Sequence, residues 1–66
     1  MILTINGKEQ EIQEGLNLEE IMLHLEMQDK VMAAAINMEI VKKEQWNSLR
    51  PKHNDKLELL QFVGGG

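Results

Sequence analysis

No cysteine occurs among the 66 residues, and this absence constrains the fold more than any other feature. A chain this short buries only about 60% of its unfolded surface and usually depends on staples. Here neither a disulfide nor a thiolate metal site can supply one. His24 and His53 are too few for an ordinary structural zinc site. Stability must come from one well-formed apolar layer in a single domain. The same size leaves no room for a deep substrate pocket of several hundred Å³. The length therefore favours a binding module, a carrier or a subunit over an enzyme.

The apolar pattern supports an α+β chain. Ile2 to Asn6 is β-rich, with Leu3 and Ile5 on one face and Ile2 and Thr4 on the other. Asn6-Gly7 is a strong hairpin signal, and Lys8 to Gln13 reads as the return strand. Asn17 and Glu20 have capping-box spacing and predict a helix start. Leu18, Ile21, Met22 and Leu25 form its buried stripe. Leu23 and Met27 fall off that stripe, to be exposed or to touch a neighbouring loop. Gln28-Asp29-Lys30 closes the helix. Val31 to Ile36 reads as a strand whose inward face the alanines leave open. Asn37-Met38 turns into a short edge strand, Glu39 to Val41. Lys43 to Arg50 is a single-turn or irregular segment, stopped by Pro51. His53 to Asp55 turns into the last strand, Lys56 to Phe62. One helix covers only one face of such a sheet, so the other faces solvent or a partner.

Charge is unevenly spread. Residues 1–41 hold eight acidic and two basic groups, 2 − 8 = −6, and residues 42–66 five basic and three acidic, 5 − 3 = +2, which sum to the net −4. The plain reading is a solvated mixed surface; the sharper one is an electrostatic guide for docking the C-terminal half. An acidic chain is a poor binder of nucleic-acid backbones. The longest apolar run, Val31 to Ile36, is six residues, against the ~20 needed to span a bilayer. No signal-peptide pattern is visible, so the expected location is cytoplasmic, with no membrane and no nucleic-acid partner.

Few side chains are arranged for chemistry. No carboxylate is spaced with a base or metal ligand, so no catalytic and no metal residue is assigned. His24 and His53 read most simply as exposed. Trp46 reads as a lid over a small core. In the last strand, Leu57 and Leu59 share one face, and Leu60 and Phe62 the other. Either the strand is central and buried on both faces, or Leu60 and Phe62 form an exposed contact patch.

The final Gly64-Gly65-Gly66 adds nothing to stability. It reads as an inert flexible end, or as an arm, Val63 to Gly66, that delivers the terminal carboxylate into another protein. Glycine suits the second role, because without a Cβ the backbone approaches a channel wall closely. From Phe62 to Gly66 an extended arm reaches about 13 Å. The terminal carboxylate is ionised at neutral pH and a poor electrophile; joining it to AMP supplies a leaving group. The chain carries no glycine loop between strand and helix and no Walker-type lysine. A separate enzyme must perform that activation.

The β-β-α-β-β-β order and terminal Gly-Gly resemble the ubiquitin-like β-grasp sulfur carriers, and within them the ThiS carriers of thiamine biosynthesis. The matching stretches are Ile2 to Gly7, Ala35-Ile36-Asn37 with Ile40-Val41, Lys43-Glu44-Gln45-Trp46, and Asp55 to Gly66. Lys43 stands where the family pattern has arginine. The resemblance implies a β-grasp domain over residues 1–62, with a mixed sheet of four to five strands, one main helix on one face, and a flexible tail over 63–66. It implies a carrier acted on by enzymes, not an enzyme. A ThiF-like adenylating enzyme would activate the Gly66 carboxylate with ATP and magnesium, and no cofactor would be bound by the chain itself. Sulfur supplied through a cysteine desulfurase would then replace AMP. The resulting thiocarboxylate would donate sulfur to the thiazole ring through thiazole synthase. Val63, Gly64 and Gly65 would enter partner sites, and strand parity offers Leu60 and Phe62 for docking. The alternatives are a molybdopterin synthase small-subunit-like carrier, a ubiquitin-like modifier, and a plain interaction domain with an inert tail.

Overall fold

A computed structural model describes residues 1–62. The chain runs β1 (Ile2–Ile5), β2 (Lys8–Glu11), α1 (Leu18–His24), β3 (Val31–Ile36), β4 (Glu39–Val41), a 3-10 turn (Lys43–Gln45) and β5 (Lys56–Gln61). The strands form one mixed sheet in the order β2-β1-β5-β3-β4. β5 is central, parallel to β1 and antiparallel to β3. This is the mixed sheet with one helix that the sequence predicts.

Two tight turns shape the hairpins. Asn6 and Gly7 have φ 52° and 81°, and Asn37 and Met38 φ 48° and 72°. Left-handed backbone at both central positions matches the twist of the flanking strands. Leu3 and Ile5 point into the core, joined by Leu57 and Leu59 of β5 and by Leu18, Ile21 and Met22 of the helix. A bulge between Val31 and Ala33 settles the inward face of β3. Without it Val31 and Ala34, an odd number of residues apart, would face opposite ways; both are buried.

The helix start follows the capping-box expectation. The Asn17 side chain accepts from the Glu20 N–H at 2.7 Å, and the Glu20 carboxylate accepts from the Asn17 N–H at 2.8 Å. The remaining first-turn N–H groups donate to carbonyls: Leu18 to Leu49 at 2.9 Å, Glu19 to Trp46 at 3.2 Å, Ile21 to Asn17 at 3.0 Å. This N-terminus is fully satisfied.

The helix is shorter than the periodicity implies. Glu26 adopts φ 60°, with the Glu26 N–H bonded to Leu23 O at 3.0 Å and the Met27 N–H to Met22 O at 2.9 Å. These paired bonds are a Schellman termination. The reversal swings Met27 into the core and leaves Leu25 only half buried, the opposite of an uninterrupted helical stripe. A glutamate is strained at this position where glycine is not. Glu26→Gly is expected to stabilise the domain by about 0.5–1 kcal/mol and to raise its melting temperature by roughly 2–8 °C, measurable by thermal circular dichroism. No change or a fall would mean that side-chain contacts of Glu26 outweigh its backbone strain.

Among the described residues, no helix is long and apolar enough to cross a membrane.

Candidate functional site

The sheet face not covered by the helix carries the candidate site, and β5 runs through its middle. Leu57 and Leu59 are buried, whereas Leu60 is 58% and Phe62 60% exposed. Of the two readings of this strand, the exposed patch is correct. β5 is central within the sheet, yet among the described residues the one α-helix leaves its second face uncovered.

Neighbouring strands enlarge the patch. Ala33 pairs with Leu60, Ala35 with Glu58, and Ile40 with Ala35, so all lie on this face by register. Ile40 is 76% exposed. The two alanines are short and make a shallow groove between the Ile40 and Leu60 side chains, bordered by Glu58. Sequence reading missed Ile40, because a three-residue strand shows no alternation. It missed the alanines because the bulge shifts their parity.

The strand end is held on both flanks. On the β3 side, the Phe62 N–H donates to Lys30 O at 2.8 Å, one residue beyond the last ladder pair, Val31 with Gln61. On the β1 side, main-chain pairing stops at Ile5 with Leu57. There the Asn6 carboxamide takes over: its Oδ1 accepts from the Leu59 N–H at 2.8 Å and its Nδ2 donates to Leu59 O at 3.1 Å. Val63, Gly64, Gly65 and Gly66, the residues assigned to delivery and modification, lie outside the described residues.

The other singled-out residues are structural. Trp46 is 4% exposed, and its Nε1–H donates to Val41 O at 3.1 Å. Lys43 lies over the indole, 5.8 Å from the ring centre, a distance at which a cation is attracted to the ring face. The Lys43 to Trp46 stretch is thus a lid that closes the β4 side of the core and caps the helix through Trp46 O. His24 and His53 are both exposed. His53 Nδ1 accepts from the Ile2 N–H at 2.9 Å and pins the start of β1. Among the described residues, no group of three or more His, Cys, Asp or Glu could hold a metal ion.

The described site therefore offers an exposed apolar face along the last strand and no set of reacting groups. The ThiS family matches over residues 3–66. The crystal structure of the thiamine biosynthesis protein (ThiS) from Geobacter metallireducens superposes with a TM-score of 0.82 at 33% identity, covering 100% of both chains. The sulfur carrier protein ThiS of Bacillus subtilis is 26% identical over 66 residues, covering 98% of this chain and 100% of its own. A thiazole synthase of Paramagnetospirillum magneticum is 33% identical over 66 residues. That match takes in all of this chain and only 20% of the synthase, so the chain spans about a fifth of that relative. With the β-grasp sheet, the single helix and a family match over nearly its whole length, this chain belongs to the ThiS family.

Proposed function

We propose that this chain carries sulfur for thiamine biosynthesis on the carboxylate of Gly66. The observation that carries the reading is the exposed Leu60–Phe62 face, which leads directly to the glycine end in a chain that matches the ThiS family. The chain holds no cysteine, so it has no thiol on which to form a persulfide, and the terminal carboxylate remains as the place for sulfur. In the first step a carboxylate oxygen attacks the α-phosphorus of ATP on a ThiF-like enzyme. Pyrophosphate leaves, and an acyl adenylate forms. A partner persulfide, charged through a cysteine desulfurase, then attacks the acyl carbon and expels AMP. A second partner thiol splits the S–S bond, giving a partner disulfide and leaving a thiocarboxylate on Gly66. Thiazole synthase is the proposed acceptor; one relative with that name contains a segment similar to this whole chain.

The test is intact mass after incubation with a ThiF-like enzyme, ATP, magnesium, cysteine desulfurase and cysteine. A gain equal to one sulfur replacing one oxygen is expected. An unchanged mass under conditions that load the B. subtilis carrier would overturn the reading. Adding thiazole synthase, or separately the large subunit of molybdopterin synthase, separates the two carrier readings by which of them consumes the label.

The same assay tests the landing surface. Leu60 is solvent-exposed, so Leu60→Asp is expected to shift stability by no more than about 0.5 kcal/mol. The loading rate at low carrier concentration should fall at least roughly tenfold, as for a central interface anchor. Normal loading by this variant would remove the sheet face from the docking surface.

A further inference from the structure

Asn6 does more than make a turn. β1 turns away at Asn6, while β5 continues through four more residues, Glu58 to Gln61. The Asn6 N–H donates to Leu57 O at 2.9 Å, the last main-chain bond on that flank among the described contacts. The next inward-facing residue of β5, Leu59, needs a donor and an acceptor from the same side. The Asn6 carboxamide supplies both, at 3.1 and 2.8 Å, and so stands in for a missing strand residue.

Asn37 offers an internal comparison. It also opens a left-handed turn, at φ 48°. Its Oδ1 accepts from the Lys56 N–H at 3.0 Å and its Nδ2 donates to Asp55 Oδ1 at 3.0 Å. The two asparagines thus grip the same strand at two points, Asn37 at its first residue and Asn6 at Leu59, in its second half. Asn37 holds the beginning, where Lys56 also pairs with Thr4 of β1. Asn6 holds Leu59, beside Leu60 and three residues before Phe62.

We propose that Asn6 is the positioning residue for the tail-bearing end: its carboxamide aims β5, with Leu60 and Phe62, at the partner that receives the chain end. The inference rests on the reading that Gly66 is the group being loaded. Without the carboxamide, β5 beyond Leu57 is held only from the β3 side, where the ladder is broken by the bulge. Ordering that strand end would then be deferred to the moment of binding and would weaken association.

Asn6→Gly isolates the side chain, because glycine adopts the same left-handed turn freely. Three readouts are taken on wild type, Asn6→Gly, Asn6→Asp and Asn37→Gly: melting temperature, Leu59 amide hydrogen exchange, and carrier KM and kcat in pyrophosphate release by the adenylating enzyme with ATP and magnesium. Asn6→Gly is expected to raise Leu59 exchange at least roughly tenfold, since a bonded amide is freed. It should raise KM about five-fold and leave kcat unchanged. Asn6→Asp keeps the acceptor for the Leu59 N–H and should fall between wild type and glycine. Asn37→Gly should lower the melting temperature comparably and leave KM unchanged. Equal KM changes in the two glycine variants, an unchanged KM in Asn6→Gly, or unchanged Leu59 exchange would overturn the assignment. Failure of the wild type to release pyrophosphate would instead overturn the carrier reading, and this inference with it.

Discussion

Deleting Gly66 is expected to abolish sulfur loading entirely and to leave the melting temperature within about 1 °C of the parent. The two halves of this expectation have separate causes. On the proposed reading, loading needs a carboxylate at the length that reaches the partner's ATP, and one residue fewer withdraws it by about 3.4 Å. A 1 Å misplacement of reacting groups already costs about a hundredfold in rate, so a shift several times larger leaves no measurable product. Stability resides in the buried cluster of Leu3, Leu18, Ile21, Met22 and Leu57, to which a terminal glycine contributes no side chain. Gly65→Val should act similarly, because on the proposed reading a branched side chain would obstruct the close approach of the backbone to the partner. Intact mass and thermal circular dichroism on the same samples check both halves. A large fall in melting temperature would show that the glycines belong to the folded unit. Unimpaired loading of the shortened chain would remove Gly66 from the chemistry.

Trp46→Ala is expected to have the largest effect on stability. Truncating a buried tryptophan costs about 3–5 kcal/mol. A 66-residue domain has in total only about 3–10 kcal/mol. The substitution also affects two further contacts: the Nε1–H bond to Val41 O is lost, and the turn whose Trp46 carbonyl accepts the Glu19 N–H is loosened. A substantial unfolded fraction at 25 °C without denaturant is therefore expected. Trp46→Phe keeps most of the apolar contact but leaves the Val41 carbonyl without its partner, a loss of about 1–3 kcal/mol. Urea titration followed by far-ultraviolet circular dichroism is the appropriate measurement, since the substitution removes the only tryptophan. If Trp46→Ala unfolds at nearly the parent's urea concentration while failing to load, the indole is a partner contact and not a lid.

The local elements were legible because each rests on interactions between residues close in sequence. Asn6-Gly7 marks a left-handed turn by its chemistry alone. Asn17 and Glu20 cap a helix from three residues apart. The period-two pattern of Leu57, Leu59, Leu60 and Phe62 divides β5 into two faces, and the structure buries the first pair and exposes the second. The helix end was not legible, because Glu26 in a left-handed conformation carries no glycine to announce it. The Met27 side chain turns inward only once that reversal has occurred.

The candidate site divides along the same line. Its apolar pair, Leu60 and Phe62, follows from strand parity, and the proposed carboxylate from residue order. Ile40, Ala33 and Ala35 join the patch only through the pairing of β5 with β3 and of β3 with β4. The Asn6 contact to Leu59 spans 53 positions, and no local pattern encodes such a pairing.

The sequence by itself determined the kind of elements, their order, the division of the last strand into two faces and the absence of any thiol. These follow from local backbone preference, side-chain alternation and composition. Tertiary structure alone decided that β5 lies at the centre of the sheet, that its Leu60 and Phe62 face is left exposed, and that Asn6 completes the pairing of that strand. The physical reason is that hydrogen-bond partners and burial across a sheet are set by which strands become neighbours. That choice is made by the whole apolar layer packing at once.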